Sequence, residues 1–260
     1  MNKHSSKLTL SELRKKAQPM QYNMNMPDSL WGRIFFRKFS FYISFFLWKL
    51  RIKATSVTIT FVLLGILSDV LISFPYFKFI FIGFILWFVV ILLDVVDGEI
   101  ARLSEIYSKK GVMIDNISHY VINPGMYWAV GNSIFLITHN KFFIYFSIIG
   151  YFVIVIERVI PAMYYEFLGK NVSYDSRRYG MFNAKKSSKT GPYEKGFIES
   201  FAHLILEIPG GAIIFSMSLL LSVISNNLSF YIFFYTSLVA LNFIADIYLF
   251  RRVSAKLEEV

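Results

Sequence analysis

No cysteine occurs among the 260 residues, so the chain has no disulfide framework, no thiolate metal site and no cysteine nucleophile, and its redox compartment stays open. Internal repeats and low-complexity linkers are missing as well, and neither a repeat array nor a flexible tether divides the chain. Charge is sparse: 17% of residues are charged against 55% hydrophobic and 18% aromatic. With a mean hydropathy of +0.52 the chain is too oily for an ordinary soluble domain of this size, and an integral membrane protein is expected. The start, Met1 to Pro19, has neither the apolar core nor the small-residue cleavage site of a signal peptide, and reads as a retained cytosolic tail. A net charge of +10 lacks the distribution of a nucleic-acid binder. Its basic residues cluster beside apolar runs, as topology determinants and contacts to anionic lipid or phosphate do.

Those apolar runs set the expected architecture. Six of them, about 55–73, 77–97, 112–137, 142–165, 198–224 and 228–250, are near or above the roughly 20 residues that a bilayer crossing needs. Ahead of them, residues 29–53 mix Arg33, Arg37, Lys38, Lys49 and Arg51 with Trp31, Phe35, Phe36, Phe39, Tyr42, Phe45, Phe46 and Trp48. An aromatic face beside a basic one suits a helix lying in the headgroup plane, with a seventh span as the alternative. The expected fold is all-α, a polytopic membrane protein of six transmembrane helices preceded by an amphipathic interfacial helix. Its parts are a cytosolic basic tail (1–28), the interfacial helix (29–53), a six-span catalytic membrane domain (54–250) and a cytosolic C-terminal tail (251–260).

The connections alternate in charge. One set, around Lys78, Lys141 and Asn226, holds two basic residues, whereas the opposite set holds 24, and Arg158 is left inside a span. The positive-inside rule then places both termini and the region of Asp94 in the cytosol.

At that cytosolic face lies the most informative stretch. It reads Asp94, two residues, Asp97-Gly98, two residues, Ala101-Arg102, eight residues, Gly111, three residues, Asp115, three residues, His119. Asp94 and Asp97, three apart, share one face of the second span; Asp115 and His119, four apart, share one face of the third. Ionisable groups in a membrane helix are costly unless paired, solvated or metal-bound, so the four are expected to face one polar cavity. The alternative is a structural ion-pair network with Arg102. Hard oxygen ligands without cysteine point to Mg²⁺ or Mn²⁺. Such ions neutralise charge on both phosphates of a pyrophosphate and on its leaving group. Gly98 and Ala101 lack bulk and would leave room for a ligand against the helix, and Gly111 would relieve a crowded contact at the start of the next span.

This pattern closely resembles the signature of the CDP-alcohol phosphotransferase (CDP-alcohol phosphatidyltransferase) family at every fixed position but the last, where the family has a fourth aspartate and this chain has His119. At the start of the first span, Ala54-Thr55-Ser56-Val57-Thr58 stands where many members have Pro-Asn, two residues and Thr, and only Thr58 matches. The resemblance implies two divalent metals, a CDP-linked donor, and attack of an acceptor hydroxyl on the donor's β-phosphate with release of CMP. It implies that Asp94, Asp97 and Asp115 are metal ligands and that Gly98, Ala101, Arg102 and Gly111 lie at the nucleotide. It further implies synthesis of a phospholipid or related glycoconjugate, a lipid as donor or acceptor, and a homodimer.

His119 occupies the position of the aspartate that binds metal and is proposed to deprotonate the acceptor. A neutral imidazole, with a reference pKa of about 6.5, is a better base at neutral pH than a carboxylate near about 4. It is a worse ligand for Mg²⁺. His119 is therefore expected to act as base without a strong metal bond, or to shift preference toward Mn²⁺; an inactive site is the alternative. Asn123, four residues on, is placed to orient the imidazole, or to satisfy backbone before Pro124.

Other candidates are weaker. Glu199, His203 and Glu207 recur every four residues in the fifth span, as a wall of the same cavity, an acceptor-binding face or a second metal site. Arg158, beside Glu157, holds a substrate phosphate or pairs with a carboxylate. Arg177 and Arg178 grip a phosphorylated substrate or serve topology. Two other classes stand beside the enzyme reading: a membrane scaffold that has lost catalysis, and a cation transporter, for which Gly98, Ala101 and Arg102 have no use.

Overall fold

The structure is a computed structural model that describes residues 9–19, 36–167 and 208–257. Among the described residues it is all helical, with eight helices: α1 (Leu10–Ala17), α2 (Arg37–Lys49), α3 (Ala54–Ile72), α4 (Phe77–Ser104), α5 (Lys109–Thr138), α6 (Phe142–Phe167), α7 (Ile208–Ile224) and α8 (Ser229–Leu257). Four are long and apolar enough to cross a membrane, over Ala54–Ile72, Phe77–Ser104, Phe142–Ile160 and Ser229–Tyr248. α5 has the length, 30 residues, but carries Asp115, His119 and Asn123. The described part of α7 is 17 residues. At 1.5 Å per residue the 19 residues of α3 extend about 28 Å, close to a hydrocarbon core of about 30 Å.

Burial follows a membrane rather than an aqueous pattern. The largest cluster joins Phe61 of α3, Trp87 of α4, Tyr127 of α5, Phe215 of α7 and Tyr235 of α8, while Leu63, Ile85, Phe152 and Phe243 point outward and exposed. With apolar groups on both sides, cohesion depends on close packing and on buried hydrogen bonds. The α3–α4 hairpin shows both. A Cβ on Gly83 would stand 2.6 Å from Ile72 Cγ1 and 3.0 Å from the Ser68 carbonyl oxygen, so only glycine allows this approach. There Ser68 Oγ donates to the Gly83 carbonyl at 2.7 Å and Trp87 Nε1 to Asp69 Oδ1 at 3.1 Å.

The N-terminal helices pack on the last turns of α4. α2 buries Arg37, Ser40, Phe41 and Ser44 and leaves Phe39, Tyr42 and Phe46 exposed as a stripe. α1, within the segment expected to be a plain basic tail, opens with a Thr9/Glu12 capping box and packs Leu13 and Ala17 against Phe41 and Leu103. Arg14 stands over the Phe41 ring at 5.6 Å. Lys16 Nζ donates to the Leu103 carbonyl at 3.3 Å and pairs with Glu105 at 2.7 Å. The Lys16 ammonium, hydrogen-bonded to Glu105, holds that carboxyl below the usual carboxylate range. The pair therefore persists at neutral pH and weakens only as pH falls through that lowered value.

Two element ends differ from expectation. The second expected span ends at about 97, but the helix that holds it continues to Ser104, so Asp97 is not at the helix end. α8 continues past 250 to Leu257, so Arg251 and Arg252 lie on the same helix as the last expected span.

Candidate functional site

The stretch from Asp94 to His119 folds into the C-terminal turns of α4, a short turn and the first turns of α5. α4 ends at Glu105, in left-handed conformation with φ 57°. α5 begins at once, because the Ser108 hydroxyl accepts from the Gly111 amide at 3.1 Å and caps it. The tight turn brings the acidic faces of both helices together.

Asp94, Asp115 and His119 each offer one ligand atom, and these atoms lie within 4.8 Å of one another. His119 Nε2 is 3.6 Å from Asp94 Oδ1 and 3.5 Å from Asp115 Oδ1. A hard divalent ion with bonds of about 2.0–2.6 Å sets adjacent ligands roughly 3–4 Å apart, and the three groups fit such an ion. Asn123 Nδ2 stands 3.4 Å from His119 Nδ1, so the ring is approached from its far side while Nε2 faces the carboxylates.

Asp97 faces the other side of the same region. Thr58 Oγ1 donates to its Oδ2 at 2.7 Å. With Asp115 it lines a cavity of about 1520 Å³. Gly98, Ala101, Arg102 and Gly111 line that cavity too, as do the basic Lys16, Lys49, Arg51 and Lys53. Asp115 thus belongs both to the three-ligand cluster and to the cavity wall. The crowding at Gly111 is real: a Cβ there would stand 2.9 Å from Thr55 Oγ1. Arg102 Nε donates to the Ala17 carbonyl at 2.6 Å.

Arg158 is buried in α6 beside Glu157, within electrostatic reach of His119. Glu199, His203, Glu207, Arg177 and Arg178 lie outside the described residues. The spacing of the signature left several neighbours unseen, among them α1, which borders the cavity through Leu13 and Lys16. Glu99, fully buried, receives Gln18, Ser40 and Ser44. One trace of this was present, since Ser40 and Ser44, four apart, put two hydroxyls on one face of an otherwise aromatic helix.

Among curated proteins none matches the chain. The profile of the CDP-alcohol phosphatidyltransferase family matches residues 24–239, which include α2 to α7, the cluster and most of the cavity wall. The chain therefore belongs to the CDP-alcohol phosphatidyltransferase family, a family of phosphotransferases that move phosphatidyl groups from CDP-alcohols.

Proposed function

We propose that this protein transfers a substituted phosphate from a CDP-linked donor to an acceptor hydroxyl, releasing CMP, in phospholipid or related glycoconjugate synthesis. The observation that carries this reading is that Asp94, Asp115 and His119 converge within 4.8 Å while Asp115 also lines the cavity of Asp97, Gly98, Ala101, Arg102 and Gly111.

Asp94, Asp97 and Asp115 hold one or two Mg²⁺ or Mn²⁺ ions, which when bound neutralise charge on the pyrophosphate. Thr58 fixes the Asp97 carboxylate. Gly98, Ala101 and Gly111 keep the wall low enough for the nucleotide to lie against the helices, and Arg102 with Lys49, Arg51 and Lys53 gives it a cationic border. The acceptor oxygen bonds to the β-phosphorus as the bond to the CMP oxygen breaks, and His119 takes the hydroxyl proton with Asn123 steadying its ring. Arg158, Glu199, His203, Arg177 and Arg178 are candidate contacts to the acceptor or a substrate phosphate.

In this reading α3 to α8 are six spans, and α2 lies in the headgroup plane with its Phe39, Tyr42 and Phe46 stripe toward lipid. The site and both termini face the cytosol, one substrate is a lipid, with CDP-diacylglycerol favoured as donor, and the protein is a homodimer.

The test is CMP release over a panel of CDP donors and alcohol acceptors with Mg²⁺ and Mn²⁺. Asp97→Ala is expected to lower the rate by about 10²-fold or more, and His119→Ala by about 10²–10⁴-fold. Undiminished activity in Asp97→Ala removes the metal assignment, and undiminished activity in His119→Ala removes the base. The replacement of the fourth signature aspartate by His119 favours one other reading, a scaffold without catalysis, for which wild type releases no CMP from any donor with either metal.

A further inference from the structure

Glu99 sits between Gly98 and the Ala101-Arg102 pair, fully buried. It is three residues before Arg102, the spacing at which opposite charges on a helix pair with each other. In this protein Glu99 acts on Arg102 through its charge, while its oxygens are hydrogen-bonded to other groups. Glu99 Oε1 accepts from Gln18 Nε2 at 2.8 Å and Ser40 Oγ at 2.6 Å, with Arg37 Nη1 at 3.8 Å, and Oε2 accepts from Ser44 Oγ at 2.6 Å. Arg102 bonds instead through Nε to the Ala17 carbonyl at 2.6 Å, one residue before Gln18. Its Nη1 and Nη2 stand 3.3 and 3.4 Å from where a Cβ on Gly98 would be, so the guanidinium lies across the glycine that borders the cavity. The end of α1 thus both occupies the carboxylate, through Gln18, and takes the arginine's Nε, through the Ala17 carbonyl.

We propose that Gln18, Ser40 and Ser44 are positioning residues for Arg102: by occupying both oxygens of Glu99 they keep that carboxylate from capturing the guanidinium, which stays over Gly98 and open to an anionic substrate. An arginine paired to a buried carboxylate is already neutralised and presents fewer donors to a phosphate. This inference rests on the reading of the cavity as the site of the CDP-linked donor.

The full-length protein carrying Gln18→Ala and Ser44→Ala, which strips one donor from each oxygen, is compared with the same protein carrying Glu99→Gln in addition. The double variant is expected to raise KM for the CDP donor about tenfold with kcat within about twofold of wild type, the weight of one charge-assisted hydrogen bond. Adding Glu99→Gln, which cannot form an ion pair, is expected to return KM to within about threefold of wild type. A purely structural role predicts the opposite, a further loss with the third substitution. A second readout needs no catalysis: modification of Arg102 by phenylglyoxal, followed by peptide mass spectrometry, slows several-fold in the double variant and recovers in the triple. Unchanged KM in the double variant, failure of the triple to recover it, or unchanged Arg102 modification overturns the proposal. Should the double variant not fold, Ser44→Ala with and without Glu99→Gln carries the same comparison. If wild type releases no CMP, the proposed function fails, while the modification of Arg102 still decides whether these groups position it.

Discussion

Asp97 shows how one side chain is prepared for work that its sequence position only suggests. Thr58 Oγ1 is 2.7 Å from Asp97 Oδ2 and 3.1 Å from the Ala54 carbonyl, so the hydroxyl hydrogen favours the carboxylate and sets its rotation. Groups that orient a metal ligand this way typically weigh about 10–100-fold in metal affinity or activity. Thr58→Val keeps the shape and removes the donor. It is expected to raise the Mn²⁺ concentration for half-maximal CMP release about tenfold or more, with little change in melting temperature. His119→Asp puts a carboxylate beside Asp94 and Asp115 in place of the base, and the added oxygen ligand is expected to raise the ratio of Mg²⁺- to Mn²⁺-supported residual activity, since Mg²⁺ prefers oxygen. An unchanged ratio would mean that a side chain at position 119 does not reach the ion. Both residues were visible in the sequence to different degrees. The spacing of Asp115 and His119 marks them directly, whereas Thr58 carries one faint match. Glu99 itself carries no match, and apart from the Ser40 and Ser44 spacing nothing points to it, because its partners Gln18, Ser40 and Ser44 come from 55 to 81 positions away.

At the scale of elements, the junction of α3, α4 and α5 is the demanding part of the fold. Ser108 must cap α5 immediately after α4 ends at Glu105, and α5 must then pass Thr55 at the start of α3 with no side chain at Gly111. Gly111→Val places branched carbon 2.9 Å or less from Thr55 Oγ1 and forces α5 away from α3. The expected cost is about 1–3 kcal/mol, read as a lower melting temperature in detergent, with loss of CMP release. Retained stability and activity would show that the two helices separate freely. The long apolar helices were legible because length and hydropathy alone specify them. α1 was not, since LSELRKKA has three separated apolar residues and no apolar run. Its stability is tertiary: Leu13 and Ala17 against Phe41, Lys16 on Glu105, Arg14 on Phe41. The end of α4 was misjudged for a related reason. The apolar run stops near 97, yet Leu103 and Ile100 are buried beneath α1 and α2, and that cover carries the helix on to Ser104.

For the whole molecule, side-chain contacts sort the connections into two ends. Asn132 Nδ2 donates to the Ser73 carbonyl at 3.2 Å, and Ser133 Oγ lies 3.5 Å from the Tyr231 hydroxyl. The α3–α4, α5–α6 and α7–α8 turns therefore gather at one end. Thr58 with Asp97 and Gly111 beside Thr55 mark the other, where α1 and α2 also pack. Among the described residues the first end carries Lys78 and Lys141, and the second carries Arg14, Lys15, Lys16, Arg37, Lys38, Lys49, Arg51, Lys53, Arg102, Lys109 and Lys110. The proposed orientation, which rests on the positive-inside bias, puts that second end in the cytosol. Because the chain has no cysteine, every introduced thiol reports alone. Tyr76→Cys and Ser225→Cys, exposed at the first end, are expected to react with a membrane-impermeant maleimide on intact cells. Leu10→Cys and Ile106→Cys, exposed at the second, are expected to react only after permeabilisation. Labelling of Ile106→Cys from outside would reverse the topology and take the cavity away from cytosolic nucleotides. If Tyr76→Cys and Ser225→Cys label from opposite sides, α3 to α8 cannot be six alternating spans. Obedience to the rule at all four positions would instead tie the charge bias, the helix packing and the side on which the cavity opens to one arrangement of the chain.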